Sequence, residues 1–247
     1  MANEEKNIAL AAAKLKSRKR TRPDFTGPQE IVNVTVQAFV DRTYSTSSFE
    51  DGEMSNQQSQ TFPVHKNHLC HYSPFFDAAL NGSFAEASTN TISLSAVKPE
   101  VFRMFVNWVY TQALVAAAIP SALEVYFLAD RLLIPSLQNA AIDLIETIRV
   151  KTDKYRLPSE IFPLVYAKTR VGSLLRKYVV MVSSSLGVGP FQDTDNYPKE
   201  MLVDIINYIG KRASAREKLD RLDMVPYHIE EDTDEEEDDR SKRKRTL

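Results

Sequence analysis

The stretch of sequence that decides the fold lies at residues 62–80 and reads FPVHKNHLCHYSPFFDAAL. Residues 61–64 predict a short strand, and the residues after them predict two short helices. The second helix is expected to restart at Ser73 and Pro74. Serine can cap a helix N-terminus, and proline fits the first helical turn, where its missing N–H would have no intrahelical partner. The stretch therefore predicts a strand followed by a broken helical pair.

The segments on either side of this stretch carry clear periodicities. Upstream, apolar and polar residues alternate over 31–40, which is typical of a half-buried strand. Downstream, residues 91–94 alternate in the same way, and residues 99–110 predict a helix. The apolar positions of that helix recur at the spacing of one face: Phe102, Phe105, Val106 and Val109. Strands and helices are therefore mixed along the first half of the chain.

The order of these segments resembles one known family. Its motifs are VHK at 64–66, HYSPFF at 71–76, LNGSFAE at 80–86 and FVNWVYT at 105–111. With them the chain closely resembles the BTB/POZ domain, particularly its fungal branch. The resemblance implies an α+β fold in which a small β-sheet is flanked by a helical cluster. It also implies a protein-interaction module rather than an enzyme.

The resemblance also implies a domain organisation. A BTB/POZ domain is expected at 24–150, with a long loop insertion at 41–60, and an all-helical extension at 151–223. Charged segments at 1–23 and 224–247 are expected to be disordered. Homodimers are expected as well, since BTB interfaces use the first helix and the segment before the first strand, here about 66–71 and 8–34.

Further helices are predicted downstream of the one at 99–110. They are expected at 121–133, from Pro135 to about 148, and at 159–169, 172–186 and 199–218. The first of them would open on a capping box formed by Ser121 and Glu124. Residues 113–119 fit either a short fifth strand or an apolar loop. The last helix shows four apolar residues on one face: Leu202, Ile205, Ile206 and Ile209.

Composition narrows the class of protein. The chain has 247 residues, 43% of them hydrophobic, and a formal net charge of −2. Cys70 is the single cysteine, which excludes an intramolecular disulfide and fits a reducing compartment. No stretch approaches the roughly 18 apolar residues that would span a bilayer. We therefore expect a soluble protein of the nucleus or cytoplasm that does not contact membranes.

Four potential metal ligands are crowded into seven residues: His65, His68, Cys70 and His71. Zinc sites normally draw ligands from two separate places, and no second cluster accompanies these. We therefore expect no metal and no cofactor here, with His65 and Cys70 in structural roles. Catalytic residues are not expected either, because no nucleophile elbow, phosphate-binding glycine loop or metalloprotease motif is present.

Phe84 and Glu86 form the sharpest candidate for partner binding. In BTB adaptors of ubiquitin ligases, a hydrophobic-x-Glu triplet after the second helix contacts a cullin scaffold, and this triplet falls in that register. An apolar anchor would fill a groove while the carboxylate supplies orientation. The alternative is that Phe84 covers the domain's own core and Glu86 is a surface charge. The residues alone leave both interpretations open.

Two basic clusters are candidate nuclear localisation signals. They consist of Lys16, Arg18, Lys19 and Arg20, and of Lys242, Arg243, Lys244 and Arg245. The alternative is that both only solubilise the chain ends. Direct nucleic-acid binding is not expected, since the acidic run at 230–239 repels phosphates and no DNA-binding motif is present. The leading functional hypothesis is a substrate adaptor for a cullin-type ubiquitin ligase. The alternatives are a nuclear transcription or chromatin co-regulator scaffold and a purely structural oligomerisation unit.

Overall fold

The computed structural model describes residues 6–8, 23, 29–38, 59–151, 156–185, 194–211 and 225–229. Its strands and helices, numbered here in chain order, are β1 Ile31–Gln37, β2 Ser59–His65, α1 Lys66–Tyr72, α2 Pro74–Asn81, α3 Ala85–Thr89, β3 Thr91–Ser95, α4 Pro99–Thr111, α5 Ile119–Arg131, α6 Pro135–Lys151, α7 Ile161–Lys168, α8 Leu174–Ser185 and α9 Lys199–Lys211. Single-turn 3-10 helices lie at Thr194–Asn196 and Val225–Tyr227. Strands mixed with helices, followed by helices alone, confirm the predicted α+β fold with a helical extension.

Within the described part of the chain, three strands form one sheet in the order β2-β1-β3. The central strand β1 pairs antiparallel with β2 and parallel with β3. Its Val32, Val34 and Val36 are fully buried, whereas the residues between them are exposed or half-buried. The predicted half-buried strand is confirmed, although β1 ends at Gln37 rather than at residue 40.

The helical pair α1 and α2 breaks where the sequence predicts. Ser73 caps α2, because its Oγ accepts a hydrogen bond from the Phe76 N–H at 3.2 Å. The same hydroxyl donates to the Leu132 carbonyl at 2.7 Å. Ser73 thus ends one helix, starts the next and ties both to a residue 59 positions away.

Helix α4 turns its predicted apolar face toward the core. Phe102, Phe105 and Val109 are buried, while Val106 is half-buried. The rings of Phe102 and Phe105 lie 5.2 Å apart, and Phe76 of α2 stacks on Phe105 at 6.1 Å. Aromatic contacts therefore join α4 to the helical pair.

The described residues fall into two compact units. The first contains those of 6–113 and 130–134, and the second those of 114–129 and 135–229. The core of the second unit is built from α5, α6, α7, α8 and the inner side of α9. The domain boundaries expected from the sequence, at residues 24, 150 and 223, stay predictions.

The C-terminus of α7 is capped by a side chain that the sequence did not single out. Arg176 of α8, which is 9% exposed, donates from Nη2 to the Tyr166 carbonyl at 2.6 Å and also to the Thr169 carbonyl. Its Nε reaches Thr169 Oγ1 at 3.0 Å. The C-terminal carbonyls of α7 are therefore satisfied by a side chain from the next helix.

Helix α5 begins earlier than predicted. It starts at Ile119, so Ser121 lies inside the helix and the expected capping box with Glu124 is wrong. Proline is tolerated at the second position of a helix, where its missing N–H is not needed, so Pro120 does not delay the start. Residues 113–118 contain no strand among these described positions and form a loop.

The buried face of helix α9 differs from the apolar face that the sequence predicts. Of the four residues predicted to share a face, only Ile205 is buried, and Ile206 is 69% exposed. The side that packs on the core carries Met201, Ile205 and Tyr208. These residues follow one another at i, i+4 and i+7, so they form a face of their own beside the predicted one.

Two predicted segment limits also change. Ser59 and Gln60, expected in the long loop, belong to β2. Residues 225–229, expected in a solvated tail, include a 3-10 turn whose Tyr227 packs on the core of the second unit. The acidic run that follows these residues suggested a tail there, but tertiary contacts hold them in place. In the basic N-terminal segment, which was expected to be disordered, residues 6–8 are helical and Ile8 is only 1% exposed. Apart from these segments and Pro23, the rest of the loop and of both charged ends lies outside the described ranges.

Candidate partner-binding surface

Phe84 stands at the break between α2 and α3. Helix α2 ends at Asn81, and Phe84 is the N-terminal cap residue of α3, with an extended backbone of φ −86° and ψ 160°. The chain passes so close to α2 that a Cβ on Gly82 would lie 2.3 Å from the Ala78 carbonyl oxygen. Glycine is therefore required at the turn. The Phe84 side chain, two residues later, is half-buried.

Glu86 lies in the first turn of α3 and is half-buried. A carboxylate is favourable there, because the N-terminus of a helix carries partial positive charge. Among the described residues, none forms a hydrogen bond or an ion pair with this carboxylate. The structure thus places an aromatic ring and a carboxylate two residues apart at a helix start, with exposed Ala85 between them.

The segment before β1 is tied to α1. The Lys66 backbone N–H donates to the Glu30 carbonyl at 2.9 Å, and Lys66 Nζ meets Glu30 Oε2 at 3.0 Å. Next to this pair, Asn67 Nδ2 donates to Gln29 Oε1 at 3.1 Å. Ile31, the first residue of β1, is 43% exposed. Two elements expected at a dimer interface therefore adjoin each other in the first unit.

The histidine-rich segment forms an aromatic cluster. His65 Nδ1 lies 2.7 Å from the hydroxyl oxygen of Tyr110, which also accepts the His65 backbone N–H at 3.1 Å. The His68 ring packs on Tyr110 at 4.6 Å. Burial lowers the pKa of His68, and the neighbouring His65 lowers it further. The sequence did not single out Tyr110, because its hydrogen-bond partner His65 is 45 residues away.

The structure does not bring the other candidate residues together into one site, as far as it describes them. Within the described ranges, no three His, Cys, Asp or Glu side chains are grouped as a metal site would need. Cys70 is half-buried rather than fully buried, with its Sγ 3.7 Å from the Phe76 carbonyl. Both basic clusters lie outside the described residues. No helix among those described has the length and apolar character needed to cross a membrane.

Comparison with known families agrees with this geometry. Residues 45–149 match the BTB/POZ domain. The chain therefore contains a BTB/POZ domain, and the resemblance stated from the sequence is confirmed for that range. The match starts at residue 45, whereas the BTB/POZ domain was expected to begin at residue 24. BTB domains are typically modules for protein interaction and self-association rather than enzymes. Assignment to the fungal branch stays a prediction.

Proposed function

We propose that this protein is a non-catalytic scaffold that self-associates through its BTB domain and serves as a substrate adaptor for a cullin-type ubiquitin ligase. The observation that carries the proposal is the placement of Phe84 and Glu86 at the start of α3. The aromatic ring is half-buried, and the carboxylate has no partner among the described residues. Such a pair suits an anchor with an orienting charge beside it.

The physical case rests on how interfaces distribute energy. A few anchoring residues, often aromatic, contribute most of the binding free energy, and surrounding contacts mainly exclude water. Phe84 already has one side against its own domain, so little side-chain freedom remains to be lost on binding. Glu86 at a helix N-terminus supplies a fixed negative charge that would complement a basic residue of the partner.

Self-association is assigned to α1 and the segment before β1. Lys66 and Glu30 hold these two elements together, and Ile31 presents apolar surface beside them. A two-fold interface uses the same patch on both copies, so one exposed apolar residue contributes twice. A dimeric adaptor would offer two sites to the ligase.

The cullin contact is tested with the full chain and a purified cullin N-terminal fragment. Phe84→Ala should weaken binding by about 2 kcal/mol or more, which is roughly thirtyfold in Kd. Glu86→Lys should weaken it too, through charge reversal. Glu100→Lys is the matched control, because Glu100 is exposed in the first turn of α4 and carries the same charge.

Melting temperatures separate the proposal from a structural role. If the proposal is right, Glu86→Lys loses binding with only a small change in melting temperature, because a half-buried carboxylate without a partner among the described residues contributes little to stability. If Phe84 only covers its own core, Phe84→Ala melts earlier and Glu86→Lys has no effect. Absence of cullin binding by the unaltered chain at tens of micromolar would rule the adaptor out.

The second candidate function is a nuclear scaffold for transcription or chromatin factors. The observation that favours it is the pair of basic clusters near the two ends of the chain. Replacing Lys242, Arg243, Lys244 and Arg245 by Ala should move a fluorescent fusion toward the cytoplasm. An unchanged distribution, even after Arg18, Lys19 and Arg20 are also replaced, would leave the clusters as solubilising ends. Affinity capture from native extract then distinguishes the functions, because each predicts different co-purified proteins.

A further inference from the structure

Residues 225–229 lie against α6 and α8 of the second unit. The Asn139 side chain of α6 pairs with both backbone groups of Ile229: Nδ2 donates to the carbonyl at 3.1 Å, and Oδ1 accepts the N–H at 2.7 Å. Asn139 is only 7% exposed. A buried carboxamide thus contacts the backbone of this segment much as a neighbouring strand would, without reading the Ile229 side chain.

One turn further along α6, a second contact is specific for a side chain. His228 Nε2 lies 2.8 Å from Asp143 Oδ1. The His228 side chain is 26% exposed and the Asp143 side chain is 50% exposed. Because Asn139 and Asp143 are four residues apart, they share one face of α6 and meet adjacent residues of the segment.

The third contact is aromatic. The ring of Tyr227 meets the ring of Tyr178 edge-on, with centroids 5.7 Å apart, and packs on the core of the second unit. Tyr178 does not depend on the segment for its position, since its hydroxyl donates to Glu146 Oε2 at 2.9 Å. Three consecutive residues of the segment therefore use three different kinds of recognition: an aromatic contact, a side-chain hydrogen bond and a backbone pair.

We propose that this surface of α6 and α8 is a peptide-binding site, occupied in cis by residues 225–229. Its ligand is a short peptide with an aromatic residue, then histidine, then an aliphatic residue whose backbone is extended enough to pair with Asn139. Main-chain hydrogen bonds supply affinity and side-chain pockets supply specificity, as in other peptide-recognition sites. Partner peptides of the same kind compete with the chain's own segment.

The arrangement suits a regulated site better than a permanent structural brace. The segment contributes few residues, and the Asp143 and His228 contact is open to solvent. A tethered ligand binds its own site at a high effective concentration, so a peptide in trans sees a lowered apparent affinity. This inference goes beyond the proposed function, because it requires neither a cullin nor self-association.

The test alters the cis segment and leaves the site intact. Tyr227→Ala and His228→Ala are combined in the full chain, while Asn139, Asp143 and Tyr178 stay unchanged. The probe is a fluorescein-labelled peptide with the sequence of residues 223–231, DMVPYHIEE, followed by fluorescence anisotropy. The double variant should bind this peptide at least about tenfold more tightly than the unaltered chain does, because the competitor has been removed.

Variants of the site complete the test. In the double-variant background, Asn139→Ala should weaken peptide binding about tenfold or more. Asp143→Ala, at a partly exposed position, should weaken it about threefold or more with little risk to folding. Asn107→Ala is the control, because the Asn107 side chain is exposed and donates a hydrogen bond to the Ala113 carbonyl in the first unit, outside the proposed site. It should leave binding unchanged.

Two results would overturn the proposal. One is equal peptide affinity in the unaltered chain and the double variant, which would show that residues 225–229 do not compete. The other is binding that persists after both Asn139→Ala and Asp143→Ala, which would place the peptide elsewhere. As an independent measurement, hydrogen exchange at the Ile229 amide should be slow in the unaltered chain and faster when excess peptide is added. Exchange that excess peptide does not alter would likewise contradict the proposal.

Discussion

The guanidinium of Arg149 and the carboxylate of Glu146 form a two-pronged ion pair inside the second unit. The Nε to Oε2 and Nη2 to Oε1 distances are both 2.7 Å, and the side chains are 0% and 2% exposed. Tyr178 adds a third hydrogen bond to the same carboxylate. Burial acts to lower the pKa of Arg149, but its hydrogen bonds and attraction to Glu146 raise it overall, so the pair stays charged.

Removing one partner of this pair should be strongly destabilising. Arg149→Met keeps much of the side-chain volume but leaves the Glu146 carboxylate buried without its counter-charge. We expect the free energy of unfolding to fall by about 3–5 kcal/mol, measured by urea denaturation followed by circular dichroism. Lys151→Met is the control, since Lys151 is exposed on the same helix, and it should change stability by less than about 0.5 kcal/mol. A loss below about 1 kcal/mol for Arg149→Met would contradict the prediction.

The buried tyrosines of the second unit should make stability fall in alkali. Burial raises the pKa of Tyr178 well above its usual range, and Glu146 raises it further. Because the pKa is higher in the folded than in the unfolded state, the stabilisation is complete below about pH 10 and is lost as the pH rises above that value.

Urea denaturation between about pH 8 and 11 tests this sign. The unaltered chain should lose stability above about pH 10, and Tyr178→Phe, which has no phenol to ionise, should lose less over the same range. In both proteins, tyrosinate absorbance should report the ionisation of tyrosines that become exposed on unfolding. Parallel stability curves for the two proteins would show that Tyr178 is not responsible.

Phe105→Ala should destabilise the first unit without touching any proposed site. The Phe105 ring is fully buried between Phe76 and Phe102, so truncation removes apolar contacts and leaves a cavity. We expect a loss of about 3–5 kcal/mol. Val106→Ala, at the neighbouring half-buried position, should cost clearly less. An unchanged melting temperature for Phe105→Ala would mean that this face of α4 is not packed as described.

Self-association is tested by light scattering at micromolar concentration. We expect a species of about twice the 28.0 kDa chain mass. Ile31→Asp should shift it toward the monomer, since a charge would be buried at the proposed interface. Val115→Asp is the control, because Val115 is an even more exposed apolar residue in the second unit, at 70%. A 28.0 kDa species alone for the unaltered chain would refute the dimer.

The sequence predicted most of the local structure of the first unit. The alternation in β1 predicted that Val32, Val34 and Val36 share one buried face, because side chains of a strand alternate between two faces. Ser73 and Pro74 predicted the start of α2, because a capping residue and a proline affect only the helix turn next to them. Phe84 follows the second helix of the pair, where Gly82 and its neighbours interrupt the helical pattern. These signals depend only on residues close together in the sequence, so the folded structure retains the features that they predict.

Only the tertiary structure decided which apolar surface is covered and which polar groups meet. Periodicity shows that α9 has apolar residues on more than one side, but the core contacts only the side of Met201 and Ile205. Asn139 and Ile229 are 90 residues apart, and residues 225–229 adjoin an acidic run at 230–239 that suggested a solvated tail. Helix and strand periodicities reach only a few positions along the chain. A contact between distant residues is decided by how packed elements bring their side chains together. The contact of Asn139 with Ile229 and the hydrogen bonds of Arg176 to the Tyr166 and Thr169 carbonyls could therefore be found only in the tertiary structure.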